Sequence, residues 1–188
     1  MNFKRDLLLV DLETTGTDPN RHEIIQLAAV LLDKKTLKEK KFFNAYIKPV
    51  RWINRDLASM QVNGIKYDWL KTAPNLAMVL KNFQKRFNLQ KVVLSYYVGV
   101  FDIVFLQKAF VKTNRKWPFD YHYFNIWAAF YPLLAKRNKL NSNKDFAGFG
   151  VDYLIKYFKI RQLGPQHDAL VDCRLEAEIL RKVMKELK

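Results

Sequence analysis

One cysteine, Cys173, is all that the 188 residues contain, which excludes an internal disulfide and fits a reducing, cytoplasmic setting. Its place in a helical pattern reads as that of a small packing residue. No apolar run is long enough to cross a bilayer, since the longest, Phe124 to Ala135, is interrupted by Asn125 and Pro132. Met1-Asn2-Phe3-Lys4-Arg5-Asp6 leads straight into a strand-like segment, which leaves no room for a signal peptide. Repeats, low-complexity tracts and an internal linker are also missing, so residues 1–188 read as a single domain. Acids are scarce, 18 against 33 lysines and arginines, giving a net charge of +15 and a pI near 9.8. That excess favours a polyanionic partner such as nucleic acid over a membrane. It gathers at Lys34, Lys35, Lys38, Lys40 and Lys41, and again at Lys136, Arg137, Lys139 and Lys144. Compositional bias produces a lysine-rich surface too, so charge by itself does not fix the partner.

Hydrophobic periodicity then orders the chain. Asp6 to Leu12, Glu23 to Leu32 and Phe42 to Ile47 are strand-like, with Asp33-Lys34-Lys35-Thr36 at hairpin spacing between the last two, so they predict an antiparallel meander. Lys48 to Pro74 is less regular. Asn75 to Phe87 carries Leu76, Val79, Leu80, Phe83 and Phe87 at helical spacing. Lys91 to Ser95 predicts a short buried strand, and Phe101 to Val111 a helix with Val104, Phe105 and Ala109 inward. Phe119 to Pro132 reads as a strand entering a helix, Gly150 to Phe158 as a short helix. In the last helix, His167 to Leu187, a stripe of Leu175, Ile179, Val183 and Leu187 recurs every four residues. The order predicts an α/β fold: a mixed sheet covered by helices.

Chemistry enters at Asp11-Leu12-Glu13-Thr14-Thr15-Gly16. Residues two apart on a strand point the same way, so Asp11 and Glu13 converge while Leu12 turns into the core. Paired carboxylates repel unless a cation lies between them, and hard oxygen donors suit Mg²⁺ or Mn²⁺. A strand end whose charges simply face water is the plainer reading of these six residues. Asp102 opens a helix, where the helix dipole favours a carboxylate, yet Val98, Val100, Phe101, Ile103, Val104 and Phe105 around it would tend to bury it. A buried charge needs a partner or a metal. Gly164 and Pro165 precede His167-Asp168-Ala169-Leu170-Val171-Asp172, which places His167 on a loop entering the last helix and Asp172 inside that helix.

Taken together, the first motif, Phe101-Asp102-Ile103-Val104-Phe105-Leu106 and the His167-to-Asp172 segment resemble the DnaQ-like, DEDDh family of 3′→5′ exonucleases over nearly the whole chain. Val62-Asn63-Gly64-Ile65 with Ala73-Pro74 is similar to a family segment that lines the nucleotide site. A sister group has a tyrosine four residues before the last acid, which this chain lacks. The resemblance implies an RNase H-like fold, with a five-stranded mixed sheet of three antiparallel strands and then two alternating with helices. It implies catalysis by two divalent ions, Mg²⁺ or Mn²⁺, clamping the oxygens of an in-line displacement. Asp11, Glu13, Asp102 and Asp172 would be the metal ligands, with Asp11 bridging both ions. His167 would be the general base, because an imidazole titrates near neutral pH. Thr14, Thr15 and Gly16 would grip the terminal 3′-hydroxyl through backbone amides. Ile65, Tyr97 and Phe101 would complete the substrate site, and Tyr96 and Trp69 are further candidates for stacking on bases.

Three positions depart from the family pattern: Thr17 where a bulky wedge is common, Val98 where asparagine is frequent, and Asn63 where histidine is frequent. The resulting expectation is an enzyme of the proofreading or DNA-repair type acting on single-stranded 3′ ends, and the resemblance admits a polymerase or other replication partner. An RNA-trimming exoribonuclease or oligoribonuclease is the rival within the same chemistry. A catalytically silent nucleic-acid-binding accessory subunit is the rival outside it.

Overall fold

The computed structural model describes residues 3–97, 100–136, 150–161, 164 and 167–187. Its sheet grows from β1 (Asp6–Thr14), whose Leu7, Leu8, Leu9 and Val10 are all buried. β1 pairs antiparallel with β2 (Ile24–Leu32), and β2 pairs antiparallel with β3 (Glu39–Tyr46). On its other side β1 runs parallel to β4 (Val92–Tyr96), which runs parallel to the two-residue β5 (Phe124–Asn125). The order β3-β2-β1-β4-β5 is the predicted five-stranded mixed sheet. Every residue of β2 is buried, the signature of a strand covered on both faces.

Helices cover the two faces separately. Leu8, Val10 and Leu12 point toward α3 (Leu76–Arg86) and α4 (Phe101–Lys112), packing with Leu80, Phe83, Leu106 and Phe110. Leu7 and Leu9 point the other way, toward α5 (Ile126–Lys136) and α7 (Ala169–Glu186), and pack with Phe130, Leu133, Cys173, Leu180 and Val183. Between those helices lies the short α6 (Val151–Tyr157). Each fully buried leucine is worth about 1.5–3 kcal/mol, so the two cores together fix the register of β1. A slip of one residue would turn Asp11 and Glu13 onto the wrong face.

Several boundaries move. β1 continues to Thr14, with an irregularity between Glu13 and Thr14, and β3 starts at Glu39 rather than Phe42. The irregular stretch Lys48 to Pro74 contains two short helices, α1 (Leu57–Asn63) and α2 (Tyr67–Lys71). α1 starts at Asp56, whose carboxylate accepts from the Ala58 and Ser59 amides, and ends at Gly64 with φ +64°. Both are ordinary helix signals. They escape the periodicity because Leu57 and Val62 are exposed, leaving no apolar stripe to read. Within α4 the buried face is Ile103, Phe105, Leu106, Ala109 and Phe110, while Val104 is only half-buried. The stripe on α7 is buried through Val183 and ends at Leu187, which is exposed.

Cys173 is a buried packing residue, as expected. No helix among the described residues is long and apolar enough to cross a membrane. Val98, Gly99, Pro165 and the basic residues Arg137, Lys139 and Lys144, with the loop-like segment that holds them, lie outside the described residues. The first basic cluster surrounds the β2–β3 turn, where Asp6 accepts from the Lys34 amide and pairs with Lys40 at 2.9 Å. At 3.3 Å per residue, that is roughly 23 Å along β1 from Glu13. These lysines sit at the far end of the sheet from the paired acids.

Candidate active site

The acids meet where β1 ends and α7 begins. Asp11 and Glu13 share the face of Leu7 and Leu9, opposite Ala28 and Gln26 of β2. Gln26 is fully buried and holds the start of α7: its Nε2 donates to Asp168 Oδ2 at 3.3 Å and to Asn44 Oδ1 at 3.1 Å. Its Oε1 accepts from the Ala169 amide at 3.4 Å. Asp168 in turn caps the helix, accepting from the amides of Leu170 and Val171. These bonds bring Asp172, one turn into α7, beside Glu13.

His167 precedes the cap in a left-handed conformation, φ +60°, and its amide donates to Asp172 Oδ2 at 3.1 Å. It is exposed, on the loop that the sequence predicts. Donor atoms of Glu13, His167 and Asp172 lie within 4.8 Å of one another. Asp102 arrives from the other side. β4 pairs with β1 only as far as Leu9, so the Leu12 amide beyond it is left over, and Asp102 Oδ1 accepts from it at 3.2 Å. All five sequence-predicted catalytic positions thus converge on the C-terminal end of β1.

Burial and mutual repulsion push these carboxyls up. Burial raises Glu13 to about 8, with Asp172, Asp102 and Asp168 adding to it. Asp102 is raised to about 7 by burial, against the pull of its own amide and that of Leu12. Asp172 reaches about 6, burial outweighing the stabilising effect of His167. Asp11 is driven well above the carboxylate range by burial and then by Asp102, Glu176, Glu13 and Asp172. A set of hard oxygen donors with one imidazole, too close to ionise together, fits a divalent cation.

The predicted substrate residues divide. Thr14 and Thr15 are buried and brace the turn: Thr14 Oγ1 donates to the Gly16 carbonyl at 2.7 Å, and Thr15 Oγ1 accepts from the Glu23 amide at 2.9 Å. The Thr15 amide itself donates to the Glu23 carbonyl at 2.8 Å. It is therefore committed to the fold, a correction to the expectation that it grips a 3′-hydroxyl. At Gly16, a Cβ would come within 2.5 Å of the His22 ring, so any larger residue would have to push that ring aside. Tyr97 is also corrected: it is 4% exposed and packs in the α7-side core, with no face open for stacking. Ile65 is buried against Ile25 and Leu70. Phe101 and Trp69 are exposed, Phe101 resting on Phe105 and Trp69 on Tyr46. Tyr96 is half-buried, edge-on to Tyr123, and Thr17 is exposed.

Three residues that the motifs did not single out for this role shape the site. Asn63 donates from Nδ2 to the Thr14 carbonyl and accepts from the Ile65 amide, which ties α1 to the end of β1. Gln26 is the clamp already described, visible in sequence only as a polar residue in an apolar strand. Glu176, one turn beyond Asp172, is 4% exposed among the acids. It interrupts the apolar side of α7, the one sequence signal that marks it. Replacing Gln26 by leucine leaves Asn44, Asp168 and the Ala169 amide short of a partner. We expect a loss of about 1–3 kcal/mol in stability and a fall in any activity that depends on Asp172, both readable by thermal melting and initial rates.

A family model described as Exonuclease, RNase_T, matches residues 8–180. The chain is similar to DNA polymerase III subunit epsilon of Rickettsia prowazekii, 29% identical over 181 residues that cover 95% of this chain and 73% of that protein. It is similar also to the 3′-5′ exonuclease crn-4 of Caenorhabditis elegans, at 27% identity, covering 95% of this chain and 62% of that protein. Among solved structures, cell-death related nuclease 4 superposes with a TM-score of 0.82 at 23% identity, over 98% of this chain and 64% of that one. The nuclease domain of 3′hExo, a DEDDh family member bound to rAMP, gives 0.78 at 22% identity, over 98% and 94%. These two likenesses establish the RNase H-like fold. The family model runs from β1 into α7 and takes in each element that carries a candidate-site side chain; the chain belongs to the RNase_T family of DnaQ-like 3′→5′ exonucleases, enzymes that use divalent metal ions.

Proposed function

We propose that the chain, acting as one catalytic domain in the cytoplasm, removes nucleotides singly from single-stranded or frayed DNA 3′ ends. Two Mg²⁺ or Mn²⁺ ions would be held by Asp11, Glu13, Asp102 and Asp172. The observation that carries this reading is the gathering of Glu13, His167 and Asp172 within 4.8 Å beside two further, half-buried aspartates, Asp11 and Asp102. When bound, the ions supply positive charge to the attacking and leaving oxygens of an in-line displacement.

The chain's own residues do the rest. His167, exposed and held by its amide to Asp172, takes a proton from the attacking water. The water oxygen bonds to the last phosphorus, and the bond from that phosphorus to the 3′-oxygen of the preceding nucleotide breaks. That oxygen keeps the electron pair and takes a proton from solvent to become the new 3′-hydroxyl, and a nucleoside 5′-monophosphate leaves. Phe101, exposed next to Asp102, would contact the terminal base, and Ile65 would support that contact from its buried position. The likeness to a polymerase III epsilon subunit supports DNA as substrate and a polymerase as partner.

The test compares 5′-labelled single-stranded DNA, duplex DNA with frayed ends, and short RNA, with Mg²⁺ or Mn²⁺. Stepwise shortening from the 3′ end is expected, fastest on single-stranded DNA and abolished by Asp102→Asn. Faster RNA cleavage would move the assignment to an exoribonuclease or oligoribonuclease. No mononucleotide release with either metal would leave a binding subunit.

A further inference from the structure

Two ladders of carboxylates face each other across the β1–α7 interface. α7 runs opposite to β1: its first turn is clamped to Gln26 beside Glu13, while Arg174 bonds Glu39 and Arg181 reaches the Leu37 carbonyl, toward the level of Leu7. Asp172 and Glu176 are four residues apart on one helix face, a rise of about 6 Å. Glu13 and Asp11 are two residues apart on one strand face, a rise of roughly 6.6 Å. With Asp172 level with Glu13, the matching rises set Glu176 level with Asp11, at the deeper rung.

Glu176 is 4% exposed, and its Oε2 is buried with no hydrogen-bond partner among the described residues. Its neighbours on the buried side of α7 are Cys173, Ala177 and Leu180. The two arginines of α7 pair elsewhere: Arg174 forms a two-point pair with Glu39, and Arg181 pairs with Glu178. A buried carboxylate without a cation or a donor is costly. Packing gives no reason for it, since a methionine or leucine would fill the same space.

We propose that Glu176 is a positioning residue of the metal centre, a fifth carboxylate behind Asp11 whose negative charge helps to hold the divalent ions without touching substrate. The inference rests on the metal-dependent reading of the site. Groups behind metal ligands typically change affinity by about 10–100-fold when removed.

The test measures Mn²⁺ binding to the full chain by calorimetry or electron paramagnetic resonance, for wild type, Glu176→Gln and Glu176→Ala. Both variants are expected to bind Mn²⁺ at least about tenfold more weakly. At saturating Mn²⁺ their kcat stays near wild type, so the defect appears in the metal dependence and not in turnover. In EDTA, Glu176→Gln melts no lower than wild type. Unchanged Mn²⁺ affinity in either folded variant overturns the proposal, as does a melting temperature in EDTA that falls while affinity holds, which marks a structural role. Wild type that binds no Mn²⁺ overturns the metal reading of the whole site, an outcome distinct from equal binding by wild type and variants.

Discussion

Asparagine in place of Asp11 is expected to abolish mononucleotide release and, in EDTA, to make the protein more stable. Asp11 lies on the face of β1 shared with Glu13, and the charges of Asp102, Glu176, Glu13 and Asp172 all act on it. Asparagine keeps the shape, loses the charge, and so relieves the repulsion that the folded metal-free site must bear. In a chain of this size each kcal/mol gained raises the melting temperature by roughly 2–4 °C. Mn²⁺ inverts the order. A ligand at 100 times its Kd stabilises the wild type by about 2.7 kcal/mol, and the variant, short of the carboxylate proposed to bridge the ions, gains little. A variant that melts below wild type in EDTA would show that Asp11 is held by attraction and not by force of fold.

The same repulsion fixes the sign of a pH dependence. Glu13 rises from its ordinary 4.5 to about 8, Asp102 from 3.8 to about 7, and Asp172 from 3.8 to about 6. Between roughly pH 4 and 8 the folded metal-free protein therefore binds protons that the unfolded chain has released. Stability is full at the acid end of that window and is lost as pH climbs through it. Divalent ions must displace those protons, so their affinity grows over the upper part of the window. Melting curves in EDTA against pH, with and without Asp11→Asn, measure the slope, which the variant should flatten.

How far the sequence carries these arguments depends on where each signal resides. Asp11, Glu13, Asp102, His167 and Asp172 are legible because strand alternation and helix entry dictate where they point, and the resemblance supplies their roles. The strands are legible because Leu7 to Val10 and Ile24 to Leu32 are buried on both faces. α1 and α2 are hidden because exposed helices leave no apolar stripe, although Asp56 and Gly64 mark one of them. Tyr97 shows the opposite failure: an aromatic beside a motif looks like a stacking platform, and only the packing of α5 and α7 reveals it as core. Gln26 and Glu176 act through partners far away in sequence, Asp168 and Ala169 for the first and Asp11 for the second. No local pattern encodes such pairings. The first lysine cluster misleads for a related reason, since composition reports charge and not its distance from the site.

On the proposed mechanism, removal of His167 separates chemistry from metal binding. Its backbone is left-handed, a conformation that asparagine tolerates far better than alanine. His167→Asn is therefore the cleaner variant, and His167→Ala is expected to melt lower through that strain alone. Both are expected to lose about 10²–10⁴-fold in kcat, the usual contribution of a general base. Mn²⁺ affinity is expected to stay near wild type, because the four carboxylates proposed to hold the ions are untouched. The limb of the pH–rate profile that reports deprotonation of the base is expected to disappear. Since the side chain is exposed, added imidazole has access to the gap and should restore part of the rate to His167→Ala. The competing role is that of a ligand, which its place within 4.8 Å of Glu13 and Asp172 would also allow. In that case His167→Asn loses Mn²⁺ affinity in step with kcat, high metal recovers turnover, and imidazole adds nothing at saturating Mn²⁺. Proton transfer predicts the reverse on all three counts.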